Sequence, residues 1–118
     1  MAVPYTTTIS VWKAGKPDEW GDIVFDAPTV FKAVFKKGGN IKLTDSKGQE
    51  FYPDSMYWSR LEVVSGNAFA PNNGDLIIEG DHFSVTDPSS VGAKQIRGQT
   101  VFDNSMFGQG VEYLFGTS

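Results

Sequence analysis

The run Asp81-His82-Phe83-Ser84 places the only histidine of the chain between an acid and a hydroxyl. These are the three groups of a Ser-His-Asp hydrolase, in which they converge on one reactive geometry from separate elements. Consecutive residues of a strand point to opposite faces, so Asp81 and His82 should diverge unless a turn redirects them. We therefore predict that His82 is a turn histidine without a catalytic role.

The sequence has few other candidates for catalytic, metal-binding or cofactor-binding residues. With one histidine and no cysteine, the chain has few ligands for a transition metal and neither a thiol nucleophile nor a disulfide. The run Asn72-Asn73-Gly74-Asp75 offers oxygen ligands without the spacing of a calcium loop, and a turn explains it better. The run Gly108-Gln109-Gly110 lacks the third glycine and the βαβ setting of a dinucleotide site. Paired carboxylates for glycoside hydrolysis stay open, but no pair stands out, and the sequence predicts no enzyme, no metal and no cofactor.

The three tryptophans allow two interpretations. Trp12 and Trp58 lie on predicted strands, on the faces opposite the apolar ones, and Trp20 lies in a Gly-flanked loop. Exposed rings would form a surface on which sugars stack, and such a surface needs at least one solvent-facing ring. Otherwise the small domain buries its tryptophans or covers them with a neighbouring subunit.

Charge is unevenly distributed along the chain, whose net charge is −4. Residues 62–118 carry seven acidic side chains and only two basic ones. Five lysines cluster earlier in the sequence, with Asp45 as their only acidic neighbour: Lys32, Lys36, Lys37, Lys42 and Lys47. Three interpretations stay open: solvated strand faces and turns, a surface that contacts a phosphate backbone, or a surface that contacts the acidic part of a neighbouring copy.

Period-two alternation of apolar and polar residues dominates the chain and predicts many short strands. Gly, Pro, Asn and Asp separate these strands, which is typical of a small barrel or sandwich. We therefore predict an all-β fold, a single domain over residues 1–118. It should be a small antiparallel β-barrel or sandwich with long loops and at most one short helix, in 53–60 or 88–95. The N-terminus has no basic region followed by an apolar stretch, so we expect a soluble protein made in the cytoplasm.

Two hairpins and one long strand are the most specific structural predictions. Gly38-Gly39-Asn40 should form a tight turn between 31–35 and 41–43. A second turn should join 76–78 to 83–85, and residues 56–64 should form the longest strand. The predicted core takes apolar residues from alternate positions of the strands: Ile9, Val11, Phe31, Ala33, Phe35, Leu43, Leu61, Ile78, Phe83 and Val85.

In their order, these elements resemble those of the tailed-phage head–tail joining proteins, which are also called head-closure or stopper proteins. The likeness is carried by the strands 7–12 and 31–35, by Gly48-Gln49-Glu50-Phe51 before the strand with Tyr57-Trp58, and by the run from Gly74 to Val85. It covers roughly residues 5–87 and leaves 88–118 as a C-terminal extension without an assigned role.

The resemblance implies a structural virion protein of the phage neck, made in the host cytoplasm. Identical subunits would form a ring below the portal and its adaptor, close the DNA-filled head and dock the tail protein. The ring would contact packaged DNA non-specifically and would contact no membrane. The five lysines would line the DNA channel or lie at the joint with the next copy. We favour the joint, because the seven carboxylates of the second half need partners.

Two loops, 65–74 and 103–110, are predicted to contact a neighbouring copy or the tail. The residues expected to make these contacts are Asn67, Phe69, Asn72, Asn73, Asn104, Met106 and Phe107. Two other functions stay open. A tail-completion or tail-terminator protein would belong to the same virion, whereas a carbohydrate-binding β-module is of another class.

Overall fold

Eleven strands and one 3-10 turn make up the part of the chain that the computed structural model describes, residues 7–38, 41–85, 87–103 and 111–118. The strands are β1 (Thr7–Trp12), β2 (Ala14–Pro17), β3 (Ile23–Phe25), β4 (Thr29–Lys37), β5 (Leu43–Thr44), β6 (Glu50–Phe51), β7 (Ser55–Ser59), β8 (Val63–Ser65), β9 (Leu76–Glu79), β10 (Lys94–Asp103) and β11 (Val111–Thr117). The 3-10 turn, Pro88–Val91, lies in one of the two segments where a short helix was predicted.

Six of the strands form a closed antiparallel barrel. Around the barrel the order is β1-β9-β10-β11-β7-β4, and the pairing of β1 with β4 closes it. The short strand β8 also pairs with β4, next to the stretch of β4 that pairs with β7. The predicted all-β fold with a small antiparallel barrel is therefore confirmed.

Side chains from alternate strand positions fill the barrel interior. On β1 and β4 this alternation follows the sequence pattern. The interior core consists of Ile9, Val11, Phe31, Ala33, Tyr57, Ile77, Ile96 and Phe115. Phe35 packs against this core while only partly buried, with its ring centroid 5.1 Å from that of Tyr57.

A second apolar cluster lies on the outer face of the barrel. It consists of Leu43, Phe51, Met56 and Leu114. Met56 and Leu114 are the sequence neighbours of the interior residues Tyr57 and Phe115, so their side chains point to the opposite face of the sheet. The β5–β6 hairpin covers them, and it forms a second layer over part of the barrel wall.

The predicted hairpin between β4 and residues 41–43 is wrong. Leu43 pairs with Phe51 of β6 and not with β4. Over Val34–Lys37, the stretch of β4 next to the turn, the strand that pairs with it is β7 and not the returning chain. Leu43 is nevertheless buried, as predicted, because it belongs to the outer cluster. Gly38 has φ 80°, a left-handed conformation suited to the turn predicted there.

Two paired glycines bring the covering hairpin close to the barrel wall. Gly98 of β10 lies opposite Gly116 of β11. A Cβ atom on Gly98 would lie 2.8 Å from the carbonyl oxygen of Thr44, and one on Gly116 would lie 2.5 Å from Cδ1 of Leu43. A side-chain tip can move aside more easily than a backbone carbonyl, so Gly98 is the stricter of the two positions.

The predicted long strand 56–64 is interrupted by a bulge. Val34 of β4 pairs with Trp58, and Phe31 pairs with Val63, so three steps along β4 match five steps on the facing chain. Leu61 lies in this bulge with φ 60°. Because the excess is two residues, the alternation keeps its phase. Leu61 and Val63 therefore pack against the interior core, as the sequence pattern predicted.

The predicted hairpin after β9 is also wrong. Strand β9 pairs with β1 on one edge and with β10 on the other, and residues 83–85 form no strand. The predictions that Ile78 and Phe83 belong to the core are wrong as well. Ile77 rather than Ile78 faces the interior, and Phe83 is 48% exposed. Val85 is half-buried.

The segment that follows β9 covers Trp12 on the outer side of β1. Trp12 is fully buried, and its indole N–H donates to the carbonyl oxygen of Val85 at 3.2 Å. The Ser10 hydroxyl donates to the Gly80 carbonyl at 2.8 Å and accepts the backbone N–H of His82 at 2.8 Å. These bonds hold the segment against the barrel wall.

Strands β10 and β11 belong to the barrel, so the C-terminal part of the chain is not an appendage. Strand β10 pairs with β9 and β11, and β11 pairs with β7, so the barrel cannot close without them. The sequence pattern predicts two short strands, at 94–97 and 100–102, and the structure has one continuous strand there, β10. The C-terminal part therefore supplies one third of the barrel strands.

Replacing Phe31 by Ala should lower the free energy of unfolding by about 3–5 kcal/mol, the usual cost of emptying a buried aromatic site. Phe35→Ala should cost less, because Phe35 is only partly buried. Urea unfolding followed by tryptophan fluorescence measures both losses. Equal losses for the two variants, or a mild loss for Phe31→Ala, would contradict the strand phase described above.

Replacing Gly98 by Ala should destabilise the protein by about 1–3 kcal/mol, because the added methyl group overpacks against the Thr44 carbonyl. Val101→Ala on the same strand is the control. Val101 is 49% exposed, so its loss should change stability by no more than ~0.5 kcal/mol. A Gly98→Ala protein with the wild-type melting temperature would show that the hairpin does not lie on this glycine.

Candidate functional site

Strands β2 and β3 form a hairpin outside the barrel sheet, and we call residues 13–26 the arm. Its tip is a turn capped by a carboxylate. The Asp18 side chain accepts the backbone N–H groups of Trp20 and Asp22, at 2.9 and 3.0 Å. Gly21, with φ 83°, donates its N–H to the Asp18 carbonyl at 3.0 Å. This local network fixes the backbone of Trp20 at the tip.

The arm presents large apolar side chains to solvent. Trp20 is 80% exposed, Ile23 50% and Val24 52%. A group of exposed apolar side chains on one element is typical of a surface that contacts another molecule. Tryptophan in particular is enriched among the residues that contribute most to binding.

A buried carboxylate anchors the base of the arm to the barrel. Asp75, which is 5% exposed, accepts the backbone N–H groups of Ala14 and Asn72, each at 2.9 Å. At the same end of the arm, the Asp26 N–H donates to the carbonyl of Lys13 at 3.0 Å. The arm therefore begins from a fixed point on the barrel.

The apolar run within residues 22–26 predicts a short strand, which the structure has as β3, but it does not predict the arm as a unit. The sequence pattern places Trp20 in a loop, because Gly15 and Pro17 interrupt the apolar alternation where β2 lies. The available signal was the spacing of Asp18 and Gly21 directly before a strand, which is typical of a hairpin turn.

A cleft of about 500 Å³ lies where the β5–β6 turn meets β10, and we call this cavity the cleft. Its volume is within the range of ligand-binding pockets, about 300–1,000 Å³. Its lining side chains are mainly charged groups and amides: Asp45, Lys47, Gln49, Asn73, Gln95 and Arg97. Among these, two cations face one anion.

Arg97 is held on two sides of the cleft. Its Nη2 lies 3.3 Å from the Asp45 carboxylate, and its guanidinium carbon lies 4.3 Å from the centroid of the Phe51 ring. Asp45 also accepts the backbone N–H groups of Lys47 and Gln49, each at 2.9 Å. The Gln49 N–H does most to lower the pKa of Asp45, and with the Lys47 N–H and Arg97 it outweighs the opposing effect of burial. Arg97 is thus positioned by its own chain, whereas the Lys47 side chain is exposed.

The five clustered lysines are distributed over separate elements. Lys32 lies 3.4 Å from Glu62, and Lys42 lies 3.2 Å from Glu50, so two of them form ion pairs within the chain. The Glu50 carboxylate raises the pKa of Lys42 by hydrogen bonding and by charge. The other three are exposed: Lys36 and Lys37 on β4, and Lys47 at the cleft. The prediction that Lys42 lies on a strand paired with β4 is wrong, because β5 pairs with β6.

Several acidic side chains of the second half have partners in their own chain. Glu62 pairs with Lys32, and Asp75 anchors the arm. Asp81 accepts the Phe83 N–H at 3.1 Å, and Asp87 caps the 3-10 turn by accepting the Ser89 N–H at 3.0 Å. These four carboxylates therefore have partners without a neighbouring copy.

The residues predicted to contact a neighbouring copy or the tail lie in different environments. Phe69 packs against the interior core, with its ring edge toward Phe31 at 5.8 Å between centroids, so it is a core residue rather than a free contact. The Asn67 backbone carbonyl accepts the Thr29 hydroxyl at 2.6 Å. Asn72 is exposed and Asn73 lines the cleft. Asn104, Met106 and Phe107 lie outside the described residues.

His82 begins a turn, as predicted. Its carbonyl accepts the Val85 N–H at 2.9 Å, and its Nε2 lies 3.2 Å from the carbonyl oxygen of Glu79. That His82 has no catalytic role stays a prediction. Within the described ranges, no three His, Cys, Asp or Glu side chains come together in a way that could hold a metal ion.

Comparison of the chain with family models, with curated proteins and with solved structures finds no match. The resemblance to head–tail joining proteins therefore stays a prediction. In the part of the chain that the structure describes, no helix has the length and apolar character that a membrane-spanning helix needs.

The lowered pKa of Asp45 predicts that acid weakens the wall of the cleft. An Asp in an unfolded chain titrates near pH 3.9, about the ordinary value. Because the folded-state pKa is lower, the ionised carboxylate stabilises the fold above about pH 4, and this contribution is lost as the pH falls through the folded pKa. Asp45→Asn should therefore reduce the fall in melting temperature between about pH 5 and pH 2.

A carbon-detected NMR titration checks this directly. The Asp45 carboxyl should titrate with a midpoint below about 3.9. A midpoint at or above that value would show that the Gln49, Lys47 and Arg97 contacts do not hold the carboxylate in solution.

Proposed function

We propose that this protein is a structural subunit that assembles with copies of itself into a ring in the neck of a tailed phage. There the ring closes the DNA-filled head and docks the tail. The single observation that carries the assembly is the arm, whose tip presents Trp20 at 80% exposure. The order of the elements, which resembles that of head–tail joining proteins, carries the assignment to the neck.

Burial of the arm would supply part of the binding free energy. Burying a large apolar side chain contributes about 1.5–3 kcal/mol relative to leaving it exposed. Trp20, Ile23 and Val24 together therefore supply at most roughly 9 kcal/mol. Association also costs about 4 kcal/mol or more in lost translational and rotational freedom, so the arm would be one part of a larger interface.

Assembly through the arm does not require strand pairing between copies. Each of the six barrel strands has a neighbour on both sides over at least part of its length. An arm that contacts a different surface on the next copy makes a heterologous contact. Such contacts repeat from copy to copy, and they close into a ring when the rotation between copies allows it.

The exposed lysines of β4 would make the contact with packaged DNA. Lys36 and Lys37 are exposed at the end of this strand, and neither forms one of the ion pairs described above. Lysines neutralise backbone phosphates without reading sequence, which suits a ring that encloses any part of a genome. Such contacts would weaken strongly as salt rises.

Two other functions remain alternatives for the same surface. A tail-completion or tail-terminator protein would use the same kind of ring at another position of the virion. A carbohydrate-binding module needs a solvent-facing ring, and Trp20 meets that requirement.

The proposed assembly is tested by sedimentation of the full chain up to its highest soluble concentration, with electron microscopy of the particles. Wild-type protein should form closed rings of more than two copies, and Trp20→Ser should raise the concentration at which they form. Tyr52→Ser is the matched control, because Tyr52 is 61% exposed but lies outside the arm. A monomeric wild type, or equal effects of the two variants, would contradict the proposal.

The sugar-binding alternative is tested separately by titrating the protein with soluble bacterial polysaccharides. Trp20 is the most exposed large apolar side chain described, so stacking of a sugar on it should change the tryptophan emission. We expect no change in the wild type. A saturable change that Trp20→Ser abolishes would favour the carbohydrate-binding module instead.

A further inference from the structure

We infer that the tip of the arm binds in the cleft of the next copy, so that Trp20 and the carboxylates beside it contact Lys47 and Arg97. This inference rests on the proposed function, because it requires that copies of the chain assemble. It names the two surfaces of neighbouring copies that would contact each other, the arm tip and the cleft. The occupant of the cleft would be a second copy of this chain.

The charges of the two surfaces are complementary. Three carboxylates surround Trp20 in sequence, Asp18, Glu19 and Asp22. The turn at the tip holds them within a few residues of the indole. On the other side, Lys47 and Arg97 line the cleft with one carboxylate between them. Complementary charges of this kind orient partners and exclude wrong ones.

The chemistry of the cleft also suits an aromatic side chain. Arg97 already stacks on the Phe51 ring at 4.3 Å, which leaves a flat, pre-oriented guanidinium at the cleft wall. Tryptophan is the aromatic side chain that attracts a cation most strongly. The cleft, at about 500 Å³, has room for an indole. Because Asp45 fixes Arg97, little side-chain entropy would be lost on binding.

The arm does not fold into the cleft of its own chain, so an arm that fills a cleft comes from another copy. Trp20 is 80% exposed, and the base of the arm is fixed by the bond from Ala14 to Asp75. Strand β2 rises about 10 Å from Ala14 to Pro17, at ~3.3 Å per residue, and the turn with Trp20 lies beyond its end. The tip therefore projects past the base of the arm, where a neighbouring copy can contact it.

A second cavity competes poorly as the binding surface. It measures about 280 Å³ and lies at the base of the arm, between Lys13, Asp26 and Phe69. One cation and one anion line it, so it offers no net attraction to an acidic tip. The exposed Lys36 and Lys37 carry positive charge but do not line either cavity described here.

The test is an exchange of charge between the two surfaces, with Glu19→Lys and Lys47→Glu. Both side chains are exposed, so the fold should be unchanged, and melting temperatures check this. Each single variant should raise the assembly concentration about 5- to 10-fold, and the double variant should restore it, because the pair is rebuilt with reversed sign. Lys37→Glu is the control lysine outside the cleft and should not be rescued by Glu19→Lys.

A cross-link gives a second measurement that does not depend on affinity. The chain has no cysteine, so Glu19→Cys protein mixed with Lys47→Cys protein can form only introduced disulfides. Under mild oxidation, mixed dimers should form faster with Lys47→Cys than with Lys37→Cys, because a disulfide requires close approach of the two Cβ atoms.

The outcomes separate the two proposals. If wild-type protein assembles but the double variant is not restored and the cross-link does not form, the inference about the cleft is wrong and the ring stands. If the cross-link forms in a closed dimer, the contact stands and the ring is wrong. A wild type that stays monomeric overturns both.

Discussion

The pairing of β1 with β4 is the constraint on which the rest of the molecule depends. It closes the barrel and gives each of the six barrel strands a neighbour on both sides over at least part of its length. Exposed strand edges are the usual route by which β proteins join one another, and closure shortens those edges. Everything that the chain adds to the barrel must therefore lie on its outer face or project from it. The β5–β6 hairpin lies on the outer face, and the arm projects from the barrel.

The outer face of the barrel is used as a second packing surface. Met56 and Leu114 point outward and would be exposed without the hairpin that covers them. Gly98 and Gly116 allow that hairpin to approach, and the Asp45–Arg97 pair ties its turn to β10. The cleft is a consequence of this layer, because it lies where the turn meets β10. The packing that buries the outer cluster thus also positions the two cations.

Sequence patterns predicted the strands well and their pairing poorly. The phase of β1 and β4 followed from alternation, because Ile9, Val11, Phe31 and Ala33 occupy alternate positions. Pairing failed where the nearest segment in sequence was taken as the partner. Instead, β4 pairs with β1, β7 and β8, and β9 pairs with β1 and β10. Local turn residues do not reveal those partners.

In the candidate site too, single residues could be predicted from the sequence and their arrangement could not. Lys47 was singled out from the sequence, but its neighbour Arg97 is separated from it by about half of the chain and only the fold brings the two together. The ion pairs of Lys32 and Lys42 could not be predicted from the sequence either, because each depends on strand register. Trp20 was identified as a tryptophan in a loop, and the hairpin that displays it was missed.

Iodide quenching of tryptophan fluorescence, measured across the concentration range of assembly, tests the central claim most directly. Trp12 is fully buried and Trp58 is half-buried, so Trp20 dominates the quenchable emission of the free subunit. If the arm is the assembly element, quenching should fall and the emission should shift to the blue as the copies associate. Assembly with unchanged quenching would contradict the account, because Trp20 would still face solvent in the assembled particle.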